Sequence, residues 1–242
     1  MDMTRDFLNG ILEQAAPHEI DYSGRKFTDK DMTALPRAIT ASALDTSTLT
    51  SVVDYITSQA DDAALNGTGK FIVHVVGHNC VKLYKELNAD KKRDSLVSAT
   101  IDGCKFPFGQ FMSVEQFIIN LQSLFVQGES TASLLEFIGS VQDDTAVKQQ
   151  DDGVTQRVTA KSGVSLAKSV PVPNPVYLRP FRTFAEIEQP ESAFVFRVRK
   201  DEQRGVTAAL FEADGAAWKN EAILEIKDFL KSQLLEDVII LA

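Results

Sequence analysis

The chain has 242 residues, 44% of them hydrophobic and 24% charged, and 34 acidic against 25 basic side chains give a formal net charge of −9. This composition excludes global disorder, and the negative balance opposes capture of a polyanion by the whole surface, so any nucleic-acid site must be local. Two cysteines, Cys80 and Cys104, make no disulfide framework and fit a reducing cytosol, while no apolar run reaches the roughly 18 residues that span a bilayer.

From Thr4 to Ala16 the residues Phe7, Leu8, Ile11, Leu12 and Ala15 recur at helical spacing, and Pro17 stops the helix. His18 to Pro36 is polar, with Tyr22, Phe27 and Met32 as isolated anchors, which predicts an extended arm. A strand is expected from Arg37 to Leu44. The cluster Asp45-Thr46-Ser47 then offers N-caps for a helix through Leu49, Val52, Val53 and Ile56 to about Ala64. Asn66 to Gly69 reads as a turn, and Phe71 to Val76 as a strand buried on both faces, ended by Gly77-His78-Asn79.

Asp102-Gly103 predicts a hairpin between strands Ser95 to Asp102 and Phe106 to Phe111. Ser113 with Gln116 forms a capping box opening a helix whose face carries Val114, Phe117, Ile118, Leu121 and Phe125. Gly128 closes it, and Leu134, Leu135, Ile138 and Val141 mark a second helix packed antiparallel to the first. Val154 to Ala160 and Val164 to Val172 read as strands. The prolines at 173, 175 and 180 then place Pro175 to Phe184 at a sheet edge or in an extended excursion.

Ser192 to Arg199 alternates, with Gly205 to Ala213 as its antiparallel partner. Trp218, Ala222, Ile226, Phe229 and Leu230 define the last helix, and Val238 to Leu241 a terminal strand. The fold class is therefore α+β, with mainly antiparallel sheet in the C-terminal half and amphipathic helices in the middle and near the C-terminus. An N-terminal helix and arm, 1–36, precede a body, 37–242, that divides near 150 into a mixed part and a β-rich part.

Three chemistries compete for the function. His74, His78 and Cys80 invite a metal-dependent enzyme, but extended chain holds the two histidines about 13 Å apart unless Gly77 folds it back, and no second cluster completes the ligand set. Neither a nucleophile elbow nor a phosphate loop occurs, and the paired carboxylates Asp61-Asp62, Asp143-Asp144 and Asp151-Asp152 read as solvated turns. The expectation is a protein without catalytic residues, metal or cofactor.

Arg179, Arg182, Arg197, Arg199, Lys200 and Arg204, interleaved with Tyr177, Phe181, Phe184, Phe194 and Phe196, offer guanidinium groups for phosphates and rings for bases. They would suit single-stranded nucleic acid or a phosphate-bearing signal nucleotide sequestered as an anti-defence sponge. The competing reading makes the rings core and pairs the arginines with Glu186, Glu188, Glu191 and Glu202. Self-association is the third reading. It rests on the apolar stripe Phe7, Leu8, Ile11 and Leu12 and on the terminal run Val238, Ile239, Ile240 and Leu241, because exposed apolar edges seek partners.

The string from Pro173 through Arg179-Pro180-Phe181-Arg182 to Asp201, followed by Ala208 to Ile223, resembles the C-terminal part of the YfdQ-like proteins of phages and prophages. The likeness is best from Asp151 onward and weaker over Thr40 to Ile56 and Ser113 to Phe125. It implies a viral accessory protein in the cytoplasm of the bacterial host, where no secretory leader is expected. It transfers no catalytic or binding residues. Together with the adhesive ends it favours a non-enzymatic homo-oligomer, structural or interacting with a host or phage protein, over nucleic-acid capture and over a metal enzyme.

Overall fold

The computed structural model describes residues 4–22, 25–30, 42–61, 69–87, 91–142, 149–151, 156–160 and 168–242. It divides into two compact units, Met1–Ala41 and Ser42–Ala242. In the first, α1 (Arg5–Ala15) precedes a hairpin of β1 (Glu19–Tyr22) and β2 (Arg25–Thr28), with Ile20 opposite Phe27. The polar stretch after Pro17, expected as an arm without regular structure, thus folds back on itself.

Side chains tie this hairpin to the helix. Lys30 Nζ donates to the carbonyls of Gln14 (2.9 Å) and Ala16 (3.2 Å), placing a cation at the negative end of the helix dipole. The Asp29 carboxylate accepts from the His18 amide at 2.8 Å, and the backbone and ring contacts from His18 lower its pKa.

The second unit contains a five-stranded sheet of order β14-β4-β5-β6-β3. Its strands are β3 (Leu44–Thr46), β4 (Phe71–Gly77), β5 (Cys80–Lys85), β6 (Ser95–Thr100) and β14 (Ile239–Leu241). β4, β5 and β6 form an antiparallel meander, flanked by β14 and β3 in parallel register. Helix α2 (Leu49–Thr57) and the last helix, α5 (Trp218–Gln233), cover one face of this sheet. There Leu49, Val52, Val73, Leu83, Ile226 and Leu230 share a core.

Several expectations are corrected in this region. The strand at Phe71 is buried along one face and only in part on the other, where Ile72 is covered but His74 and Val76 are exposed. Its partner β5 follows immediately, because Val81 and Leu83 alternate inward while Lys82 points away. Asp102-Gly103 makes no hairpin, since β6 pairs with β5 and β3, and 101–111 is irregular. Helix α2 is capped by Thr48, whose Oγ1 accepts from the Ser51 amide at 3.2 Å, and ends at Thr57. The strand expected from Arg37 lies mostly outside the described residues, as does the turn at Asn66 to Gly69.

A four-stranded antiparallel sheet of order β11-β12-β13-β7 forms the other half of this unit. It combines β7 (Met112–Ser113), β11 (Val176–Leu178), β12 (Ser192–Asp201) and β13 (Gly205–Glu212). Helices α3 (Val114–Leu124) and α4 (Glu129–Gln142) supply its core with Phe117, Leu121, Leu134 and Ile138, which meet Phe194, Phe196 and Leu210 from the strands. Ser113 Oγ caps α3 by accepting from the Gln116 amide at 3.3 Å, whereas the Gln116 side chain donates to Asn120. As expected, the proline-flanked β11 lies at the sheet edge. Strands β8 (Gln149–Asp151), β9 (Gln156–Ala160) and β10 (Lys168–Pro171) form a separate three-stranded sheet of order β10-β9-β8.

Candidate functional site

The alternation of β12 separates the proposed phosphate-binding residues from their aromatic neighbours. Phe194 and Phe196 point into the core with Val198, and all three are at most 1% exposed, as is Phe184. A ring in that position cannot stack on a base. Only Tyr177 and Phe181 remain about half exposed.

The cations make different contacts. Arg179 pairs with Glu188 and lies 3.6 Å from Glu191. Arg199 stacks over Phe111 at 3.9 Å, and Arg197 reaches the Phe196 carbonyl. Lys200 and Arg204 lie at the β12–β13 hairpin, where Asp201 accepts from the amides of Gln203 and Arg204, bonds that lower its pKa. Arg197 and Arg199 share the outward face of β12, while Arg179 is engaged by glutamates at β11.

Arg182 is the exception, and it is structural. Its residue is only 4% exposed. The guanidinium stacks on Trp218 at 3.8 Å, pairs with Glu212 at 3.1 Å and donates to Ser192 Oγ, which itself donates to Asp214 at 2.7 Å. Burial lowers the pKa of Arg182, while Glu212 and Asp214 oppose that shift. The buried Arg182 Nε and Trp218 Nε1 have no hydrogen-bond partner among the described residues.

The backbone around Arg182 is stapled as well. Gln189 Oε1 accepts from the amides of Arg182 (2.9 Å) and Thr183 (3.1 Å), and Thr183 Oγ1 donates to the His78 carbonyl at 2.6 Å. One loop thereby ties the β4–β5 turn to β12, β13 and α5.

The residues of the metal reading separate. His74 is exposed on β4, whereas the His78 ring packs T-shaped against Trp218 with ring centroids 4.7 Å apart. Burial, then Lys219 and Arg182, lower the His78 pKa. Cys80 Sγ accepts from Thr100 Oγ1 at 3.7 Å, and among the described residues no group of three or more His, Cys, Asp or Glu side chains is placed to hold a metal ion.

The ends of the chain differ from each other. β14 is an edge strand of its own sheet, with Ile240 against Val73 in register and Val238 and Ile240 packed on the core, while Ile239 and Leu241 stay 38% and 49% exposed. Helix α1 buries none of its residues. Phe7, Leu8, Ile11 and Leu12 are exposed by 57%, 44%, 48% and 67%, and Ile20 and Phe27 of the hairpin are about half exposed. Sequence reasoning found the apolar stripe from its spacing but missed the hairpin pair, because Ile20 and Phe27 stand alone among polar neighbours.

The chain matches no protein-family model, no curated protein and no solved structure at a significant level. Among the described residues no helix is long and apolar enough to cross a membrane. Among the sequence-predicted self-association residues, Phe7, Leu8, Ile11 and Leu12 are all more than two-fifths exposed, and α1 is therefore the candidate site.

Proposed function

We propose that the protein is a non-enzymatic accessory protein of phage origin, acting in the host cytoplasm as a homo-oligomer whose N-terminal unit covers its apolar surface on a neighbouring copy. The observation that carries this reading is α1. It has an apolar stripe of four large side chains, yet none of its residues is buried. A helix of this length is marginal alone in water, and tertiary packing of its apolar face is what ordinarily sustains it. The separation of Met1–Ala41 as its own compact unit supports an arm that engages a partner. The viral origin rests on the resemblance of the C-terminal sequence alone.

Reversing the chemistry of the stripe tests this directly. Wild type is expected to weigh several multiples of 26.6 kDa by mass photometry. Phe7→Glu combined with Ile11→Glu is expected to release single chains whose circular dichroism at 25 °C matches wild type, because no contact buried within the chain is lost. A wild type of single-chain mass, or a double variant that assembles like wild type, contradicts the reading.

A further inference from the structure

Helices α3 and α4 cover one face of the sheet β11-β12-β13-β7, and strand alternation fixes what the other face carries. Phe194, Phe196 and Val198 point inward, so Val195, Arg197 and Arg199 point outward. Register sets Phe211, Ala209 and Thr207 opposite them on β13, and Tyr177 of β11 beside Ala193. Ala209 and Thr207 are small and buried, which leaves the two guanidinium groups outermost in that row. Tyr177 is about half exposed, and Phe111 and Phe211 are partly exposed with ring centroids 6.0 Å apart.

Charge singles this face out. Arg179 and Arg182 have carboxylate partners, whereas Arg197 and Arg199 have none among the described residues. Arg199 lies over the Phe111 ring at 3.9 Å, a stack that occupies the flat side of its guanidinium and keeps the N–H edge open to an acceptor. The one carboxylate that register adds to this row, Asp201, accepts from the amides of Gln203 and Arg204. With the β12–β13 turn counted, Arg197, Arg199, Lys200 and Arg204 stand against Asp201 and Glu202, four cations to two anions, while Glu212 is turned toward Arg182. The positive excess is local, in a chain whose net charge is −9.

We propose that this outer sheet face binds single-stranded nucleic acid, with Arg197 and Arg199 on neighbouring phosphates and Tyr177 and Phe211 under bases. Two residues of strand separate the arginines by about 7 Å, so an extended backbone lying along β12 meets both in turn. Guanidinium forks suit phosphate, and rings on a sheet offer their faces to unstacked bases of any sequence. A duplex hides its base faces and an acidic peptide has no bases, so cations combined with rings select a single strand. The site is separate from the self-association surface and does not depend on it.

Fluorescence anisotropy of a short labelled oligothymidylate tests this with the full chain. Wild type is expected to bind at about 50 mM salt and to lose affinity about sevenfold by about 200 mM, the dependence for two neutralised phosphates of a single strand. Arg197→Gln combined with Arg199→Gln is expected to weaken binding at least tenfold with unchanged circular dichroism. Arg179→Gln combined with Lys105→Gln removes the same charge where Glu188 and Asp102 already engage it, and is expected to change affinity less than twofold. Photocrosslinking of wild type with an iodouracil-substituted strand, which needs no variant, is expected to attach at Phe111, Tyr177 or Phe211. No binding by wild type, an equal loss in the control pair, attachment confined to other residues, or equally tight binding of polyglutamate overturns the assignment.

Discussion

Replacing Phe196 with alanine is expected to lower the free energy of unfolding by about 4 kcal/mol. The residue is 0% exposed, and its ring meets Phe117 of α3 at 5.5 Å and Phe137 of α4 at 6.0 Å. Truncation therefore leaves a cavity where two helices meet the sheet, and neither helix can close it without losing its contact with the other. Phe196→Leu retains most of the volume and is expected to cost roughly a third as much. Phe181→Ala, at an exposed ring, is expected to change stability by less than about 0.5 kcal/mol. Urea denaturation measures all three. If Phe196→Ala were as stable as wild type, the assignment of this ring to the core would fail and a base-stacking role would return.

Arg182→Ala is expected to cost about 3 kcal/mol, which lowers the melting temperature by roughly 6–12 °C for a chain of this size. The side chain holds Trp218 by its face and Glu212 and Ser192 by its edges, so truncation opens a void and strips an ion pair together. The cost falls at the low end for a broken buried pair because the Glu212 side chain is 44% exposed and water takes over its solvation. Arg182→Met keeps contact with Trp218 and is expected to recover about half of the loss.

A second readout separates charge from packing. Burial is the main cause of the low His78 pKa and Arg182 a lesser one, so Arg182→Met is expected to raise that pKa in an NMR titration. Wild-type His78 is held neutral below its unfolded pKa, so its contribution is present above that pKa and is lost as pH falls through the folded one. In Arg182→Met the loss of stability on acidification from this group is correspondingly smaller. An unchanged melting temperature in Arg182→Ala would show that the loop stands without its guanidinium.

Local pattern carried much of this fold. The periodicity of Phe117, Leu121, Leu134 and Ile138 marked α3 and α4, the Ser113 cap marked where α3 begins, and the alternation of Phe194, Phe196 and Val198 marked β12 and its buried face. The antiparallel pairing of β12 with β13 followed from proximity in the chain. β5 is equally readable, since Val81 and Leu83 alternate with Lys82 and Tyr84, yet the sequence reading assigns no element between Asn79 and Ser95.

Long-range pairing was a different matter. Nothing near Ile239 indicates that it lies beside Ile72, and Asp102-Gly103 is a strong local turn signal overridden because β6 finds both its partners elsewhere. The burial of Arg182 was hidden for the same reason, since its partners Glu212, Ser192 and Trp218 come from three other elements. Its neighbours Arg179 and Arg199 read identically in sequence, yet one pairs with glutamates at the surface and the other covers a phenylalanine ring.

The apolar stripe of α1 is legible from its spacing, and what covers it decides whether the chain assembles. Hydrogen exchange of the α1 backbone amides, followed in the full chain at micromolar concentration and again after hundredfold dilution, addresses it directly. Amides of a short uncovered helix exchange fast, whereas packing against a neighbour slows them in proportion to its occupancy. Protection is expected to fall on dilution in step with the mass of the particle. Rapid exchange at every concentration, or protection that persists unchanged in single chains, would contradict it.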